Sequence, residues 1–506
     1  MPVEHTTALA LEEKAKLKKS FRRLDMILFT VCAMVGMDLI GTIAANGLQS
    51  VTWLIVLAVF FLVPYALIMS ELGTSFPEEG GPYEWVKLAF GRVHAGIFAV
   101  FYWITNPFWV GGALAFTAVA AIDSQWFGVG AGSFLDYVLK LVFIWISIIV
   151  AIASLEYGKW VPNAGAIARG FLVALFILTV GIYAIKNGVQ DGLAFAQLGP
   201  SRAGFLAVVP LAIFAFVGFE LQANASEEMV DPQKDIPVSV WRSGIFATIA
   251  YILPVLGVLF VLPLDQVDGL DAFINASDVA YHDVWGSALG GFLLQVTVAL
   301  LILVLATSGA SWMIGSDRTQ AVAAFDGTFF PFFGRFHAAL GTPVRVNVLS
   351  GVVASIFCVL ATLIATNGGE SANATFGVVL TIAITTTLIS YLWVFPAAYR
   401  LRQTEPDVPR VYRVGRSGNG LMLGATVMTT FFTAVGSIEA VFPGLIWKLL
   451  GQDYGSFFEA WGVTRARFEV LTLGSLAVVI VLALTGYIAG KPVRQQDVVV
   501  PLGEHH

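Results

Sequence analysis

Two acids sit where the surrounding sequence is otherwise apolar. Asp38 lies in VCAMVGMDLIGTIAANG (31–47) and Glu220 in AIFAFVGFELQANASEEM (212–229). A carboxylate at bilayer depth costs from about 3 to more than 10 kcal/mol unless it meets a partner or a polar cavity. Three kinds of chemistry are open to such an acid: neutralising a cationic ligand, loading a proton, or tying broken backbone. Glycines beside both acids make the third condition real, because Gly36, Gly41 and Gly47 in one stretch and Gly218 in the other let a helix unwind. Chemistry of the enzymatic kind finds no support. The chain has no nucleotide-binding glycine motif, zinc-ligand spacing or nucleophile elbow, and His94 and His337 fall in predicted loops without ligand spacing. The expectation is a protein that is no enzyme and carries neither cofactor nor metal.

The elements that hold these acids are membrane spans. The 506 residues are 57% hydrophobic and only 12% charged, against roughly 25% charged in soluble domains. Apolar runs of about 20 residues recur throughout. Twelve candidates cover 24–48, 51–73, 95–122, 135–154, 163–185, 204–228, 241–263, 288–320, 346–366, 374–399, 421–446 and 468–489. The polar, basic start carries no small-residue cleavage site and reads as a cytoplasmic tail. Loops on the same side hold Lys87, Arg92, Lys234, Arg242, Arg318, Arg335, Arg345, Arg400, Arg402, Arg410, Arg413 and Arg416, whereas the opposite side carries LDQVDGLDAFINASDVAYHDVW, rich in Asp. This positive-inside asymmetry, with an even span count, predicts both termini in the cytoplasm of a multi-pass cell-membrane protein. The formal charge of −6 is sorted by side and offers no basic nucleic-acid patch. Cys32 and Cys358 lie inside predicted spans and read as packing residues.

Two spans look interrupted, the first and the sixth, and each opens a block of five. Because five is odd, the two blocks have opposite orientation. Glycine-interrupted spans at matching positions in two halves point to a transporter site near the midplane. The predicted organisation is a tail at 1–23, a first repeat at 24–185 (spans 1 to 5), a second at 204–400 (spans 6 to 10), two further spans at 421–489, and a tail at 490–506.

Three segments carry a family resemblance: SELGTSFPEEGGPYEWVKLAFG (70–91), FAFVGFELQANASEEMVDPQKDIP (214–237) and AAFDGTFFPFFGRFHAALGTPV (323–344). Their order and spacing resemble those of the amino acid, polyamine and organocation transporter superfamily, and the likeness runs from the first span to the tenth. The resemblance implies an all-α membrane protein of the LeuT fold, a five-plus-five inverted repeat with helices 1 and 6 unwound around a central substrate. It also implies alternating access, driven by protons or by exchange of one substrate for another.

The resemblance also nominates residues. In the family the first break reads Gly-Ser-Gly, whose N–H groups hold a substrate carboxylate; here Gly41 is followed by Thr42 and Ile43, which weakens the case for a carboxylate ligand. Asp38, three residues earlier, matches an acid that similar folds use as counter-ion for amines lacking a carboxylate; a structural tie and a proton-carrying role stay open. Phe214, Asn106 and Trp312 match pocket positions of arginine and agmatine exchangers; Gly218 marks the second break, and Thr381 on the tenth span is a further candidate. In that comparison Trp312 turns its face to a cation, and Pro107 frees a carbonyl beside Asn106. Glu220 is a candidate proton sensor or a bridge between helices. Arg169 either fills an ion site with a permanent charge or snorkels at the membrane edge.

The sequence therefore points to a secondary active transporter of small amine-bearing solutes, amino acids or cationic amines, working in the lipid bilayer with protons as candidate coupling ion. Two other readings stand beside it: a broad neutral amino acid permease with a structural Asp38, and a solute sensor that does not transport. Oligomeric state is not legible.

Overall fold

A computed structural model describes residues 3–14, 22–153, 160–190, 193–367, 371–415 and 418–501; Arg416 and the remaining parts of the two tails lie outside the described residues. Among these residues eleven helices are long and apolar enough to cross a membrane. The first predicted span is absent from that count for a physical reason. It is broken into α2 (Arg23–Met34) and α3 (Leu39–Ala44), each too short to cross alone, so twelve spans remain with the first interrupted.

The other spans are α4 (Gln49–Ser75), α6 (Arg92–Gln125), α7 (Phe134–Ile152), α8 (Trp160–Asn187), α9 (Arg202–Phe216), α10 (Pro232–Val261), α11 (Ala272–Phe325), α12 (Val344–Asn367), α13 (Ala372–Thr404), α14 (Gly420–Val441) and α17 (Arg465–Ala489). Between them lie α5 (Gly81–Phe90) and the short α15 (Leu445–Leu449) and α16 (Phe457–Trp461). Burial separates inner from outer helices: the apolar window of α6 is 94% buried, that of α17 22%. The inner helix is small-residue-rich where neighbours press on it. At Gly111 and Gly112, within a π-turn of α6, an added Cβ would collide with the backbone of Ala354 and the side chain of Val379.

The sixth span is interrupted as well. Helix α9 stops at Phe216; Gly218 adopts φ +131, a conformation that L side chains rarely take, and the chain continues as 3₁₀ turns through Glu228.

Several expectations change. The outer segment predicted as loop is largely helical, because α11 begins at Ala272 and only bends at Gly286 (φ +77); Phe273, Ala276 and Ala280 are buried at helical spacing, with Phe273 against Phe176. The stretch DPQKDIP (231–237), within the second family-like segment, opens α10, with Pro232 in its first turn. His94 lies on α6. Three of the basic residues counted as loop charges are buried ties: Arg318 pairs with Glu79 and Glu228, Arg402 with Glu71, and Lys87 with Glu84. Burial pushes the Glu79 carboxyl well above its ordinary range, and Glu228 adds to the effect.

The tails also fold in an unforeseen way. Strand β1 (Val3–Thr7) pairs antiparallel with β2 (Asp497–Pro501), placing both ends on one face. Next to it α1 (Ala8–Lys14) caps the end of the bundle: Glu13 accepts from Phe336 N–H at 2.8 Å and pairs with Arg335 at 2.9 Å, while Lys14 reaches Glu227 at 3.2 Å.

Candidate substrate site

A helix that stops inside a membrane leaves its last four carbonyls without intrahelical donors, and each needs a partner from elsewhere. At the end of α2 three of them find side-chain donors from other helices, and Val31 O, already bonded by Val35 N–H at 3.3 Å, gains one as well. Val31 O accepts from Arg169 Nη1 (3.4 Å), Cys32 O from Ser308 Oγ (3.1 Å), Ala33 O from Trp312 Nε1 (2.9 Å) and Met34 O from Tyr251 Oη (2.8 Å). The Tyr251 hydroxyl accepts in turn from Gly36 N–H at 2.7 Å. The break at 35–38 is thus held open by α8, α10 and α11. Arg169 is fully buried and also donates to Val304 O and Ser308 Oγ, which removes the membrane-edge alternative for it.

Asp38 stands in this break and is buried. Its Oδ2 accepts from Trp109 Nε1 at 2.8 Å, whereas Oδ1 has no hydrogen-bond partner among the described residues. The absence of a side chain at Gly36 matters here, because a Cβ there would lie 2.8 Å from that free oxygen. A small cavity of about 10 Å³, room for a single water, is lined by Gly36, Asn106, Trp109, Phe214, Tyr251 and Trp312. Asn106 Oδ1 is a second buried acceptor without a partner. Trp109 packs edge-on against both Phe214 (5.9 Å between centroids) and Trp312 (6.3 Å). The site therefore offers two unsatisfied acceptors, one of them on a carboxylate, within aromatic walls.

Glu220 lies below this cavity, beyond the second break. Tyr65 Oη donates to its Oε2, and Tyr102 Oη donates to Oε1 at 2.9 Å; Asn224 Nδ2 donates to Tyr102 at 3.1 Å. Gly218 N–H and Phe219 N–H both donate to Tyr65 Oη at 3.0 Å, so the tyrosine that holds Glu220 also holds the unwound backbone. Tyr102, Asn106 and Trp109 follow i, i+4, i+7 spacing and share one face of α6. That face touches Glu220 at one end and Asp38 at the other, about 10 Å apart along the helix at 1.5 Å per residue.

Of the residues nominated from sequence, Asn106, Phe214 and Trp312 line one cavity; Asp38 adjoins it through its bond to Trp109 and the oxygen beside Gly36, and Gly218 packs at its edge with its Cα hydrogen side against Met34 and Trp312. Gly41, Thr42 and Thr381 do not. The break falls at 35–38 rather than at 41–43, so Gly41 and Thr42 are inside α3; Gly41 meets the backbone of Asp268 and Gly269, and Thr42 and Thr381 line a separate, outer pocket. Trp109, Tyr251, Tyr65 and Tyr102 escaped the sequence reading. The helical spacing within YWITNPFW could have found Tyr102 and Trp109 from Asn106; nothing local marks Tyr65 or Tyr251. Among the described residues no three His, Cys, Asp or Glu side chains converge as a metal site.

Comparison with known proteins agrees with this architecture. The chain is 28% identical over 465 residues to the "Probable agmatine/putrescine antiporter AguD" of Lactococcus lactis, covering 91% of this chain and 95% of that one. It is 23% identical to the "Branched-chain amino acid permease BcaP" of Bacillus subtilis, covering 87% and 93%. Among solved structures it superposes on a manganese transporter of Eremococcus coleocola (TM-score 0.61, 12% identity, 93% and 94% coverage) and on MhsT in complex with L-phenylalanine (0.56, 16%, 84% and 99%), both at identities that establish the fold alone. Residues 21–452 match the amino acid permease family, and with twelve spans, a LeuT-type fold and two unwound helices meeting at its centre, the chain belongs to that family of membrane transporters.

Proposed function

We propose that the protein is an exchanger of small cationic amines, with Asp38 as counter-ion to the substrate ammonium and Glu220 as the group that carries the coupled proton or senses pH. The observation that supports it most is a pair of buried acceptors without donors: Asn106 Oδ1, on a residue that lines the cavity walled by Trp109, Trp312 and Phe214, and Asp38 Oδ1, beside that cavity at Gly36. An ammonium brings N–H donors and a positive charge, and answers both needs; aromatic faces add cation–π attraction. An amino acid zwitterion would bring its own carboxylate next to Asp38. The name of the Lactococcus relative supports the same substrate class, agmatine or putrescine. Arg169 fills the space between α2 and α11 as a guanidinium that donates to Val31 O, Val304 O and Ser308 Oγ, and proton handling is assigned to the acids. The side chains that line the route from Asp38 to Glu220 lie on one face of α6, so substrate loading and proton movement share a single element. The basic residues on the face that carries β1 and β2 support a cytoplasmic orientation of that face in a cell membrane.

The test is counterflow in proteoliposomes loaded with unlabelled putrescine. Uptake of labelled putrescine or agmatine that depends on internal amine, and is lost in Asp38→Asn, is the expected result. Saturable alanine uptake that excess amine leaves unchanged overturns the reading in favour of a neutral amino acid permease. Saturable binding with no flux in sealed vesicles would instead identify a sensor.

A further inference from the structure

At the face remote from the chain termini lies a pocket of about 520 Å³, bounded by α3, α9, α13, α14 and the short helices α15 and α16. Among the described residues Glu439, on the last turn of α14, is the only Asp, Glu, Lys or Arg in its lining. It is 5% exposed. One carboxylate oxygen accepts from Gly444 N–H at 2.9 Å; the other, Oε2, is buried without a well-formed hydrogen bond among the described residues, its neighbouring donor being the buried Trp447 indole N–H, a neutral group that leaves the charge uncompensated. No Lys or Arg lies within ion-pair distance of it among those residues. Arg465, the one basic group whose charge reaches Glu439, is engaged elsewhere, with Pro443 O at 3.2 Å, Glu469 at 3.7 Å and the Phe457 ring at 4.5 Å.

The loop after α14 is folded so as to bring aromatic rings to that acid. Gly444 takes φ +83, and a Cβ there would strike the Tyr454 ring, so only glycine lets the chain reverse over the pocket. Trp447 stands edge-on to Tyr454 with centroids 5.4 Å apart, and Trp461 Nε1 donates to Tyr454 Oη at 2.7 Å. Thr42 Oγ1, on the opposite wall, is another buried polar atom without a partner. Burying one carboxylate oxygen unpaired is costly when the protein itself supplies no cation. A primary ammonium would supply Oε2 with N–H donors and a compensating charge and lie against aromatic faces.

From this we infer that the pocket is a second binding site, specific for alkyl ammonium cations, with Glu439 as its counter-ion. Thr42 follows Asp38 by one turn of helix, about 6 Å along the axis, so the pocket sits directly outward of the central cavity. That an amine held there passes on to Asp38 rests on the proposed exchange function; binding at Glu439 does not.

Site-directed thiol labelling tests the binding without reference to transport. The native cysteines, Cys32 and Cys358, are buried, and Ala460→Cys places a thiol on the pocket wall. Reaction rates of a trimethylammonium-ethyl methanethiosulfonate and the neutral hydroxyethyl analogue are compared with and without Glu439→Gln, which keeps an oxygen for Gly444 N–H. The cationic-to-neutral rate ratio is expected to fall at least about threefold in Glu439→Gln, the Coulomb factor for a charge some 6 Å away at the dielectric of water. Putrescine should slow labelling when Glu439 is present and leave it unchanged in the Glu439→Gln variant. Unchanged ratios, or equal protection in both, overturn the inference. Ala207→Cys, on the opposite wall, repeats the measurement should Ala460→Cys fold poorly. In an Asp38→Asn background protection persists while putrescine exchange is lost. Absence of amine transport in the wild type with protection intact sinks the exchange reading alone, and exchange without protection sinks the outer site alone.

Discussion

Replacing Asp38 by Asn is the most direct probe of the central cavity. The two side chains have the same shape, so Asn keeps an acceptor for Trp109 Nε1, which bonds Asp38 at 2.8 Å, and the packing of Trp109 on Phe214 and Trp312 should survive. What changes is the free oxygen: the acceptor Oδ1 becomes an amide NH2, and the charge disappears. An ammonium about 4 Å from a carboxylate gains about 4 kcal/mol at an effective dielectric of 20, an upper figure for a site that loses its water. Hydrogen bonds to charged groups measured by substitution are smaller, about 1.5 to 3 kcal/mol. About two to three kcal/mol is therefore the reasonable loss, or a Kd roughly 30- to 150-fold weaker for putrescine or agmatine. Titration calorimetry on purified protein measures it, with melting temperature as the control for folding. A change below about threefold, with melting unaltered, refutes the role of Asp38 as counter-ion and leaves it a tie for the broken helix.

Other substitutions separate the remaining roles. Glu220→Gln should retain amine binding, because the acid does not line the central cavity, yet flatten the pH dependence of exchange measured between about pH 5 and 8; a preserved pH profile makes Glu220 structural. Arg169→Met strips donors from Val31 O, Val304 O and Ser308 Oγ, and should cost about 2 to 4 kcal/mol of stability on melting, with partial recovery in Arg169→Lys. Because the guanidinium already supplies a positive charge beside the first break, replacing sodium by potassium in the assay buffer should leave wild-type transport unchanged; strict sodium dependence contradicts that. Asp271, in the outer loop, has its carboxyl pushed up to about 6 by burial and by Asp268 and Asp123. With the folded value above the unfolded one, the folded protein holds the extra proton, so stability falls as pH rises from about 4 to 6 and stays lower above it. Asp271→Asn should then be more stable than wild type at about pH 7.5, by up to about 3 kcal/mol, with no gain near pH 4; equal melting at both values contradicts this.

What the sequence determined unaided was set by local chemistry. Composition and run length define the spans, because the hydrocarbon thickness imposes about 20 apolar residues on each. Gly218 beside Glu220 marks the second break, because a glycine with an acid in an apolar run has few other uses. The helical face through Asn106 was present in the sequence too, although only Asn106 of its three members was picked out.

Where the first break falls was decided by tertiary structure. Gly36 and Gly41 are equally able to unwind, and family likeness favoured Gly41; unwinding, however, needs donors for the freed carbonyls. Arg169, Tyr251, Ser308 and Trp312, from 138 to 279 positions away in the chain, supply those donors only at the end of α2. The same dependence on distant partners explains Thr42 and Thr381, which belong to the outer pocket because α3 resumes its helix at Leu39, and explains why Tyr65 could not be tied to Glu220 in advance. A helix break in a membrane is an unpaid set of hydrogen bonds, and its position is fixed by whichever residues the fold brings within reach of them.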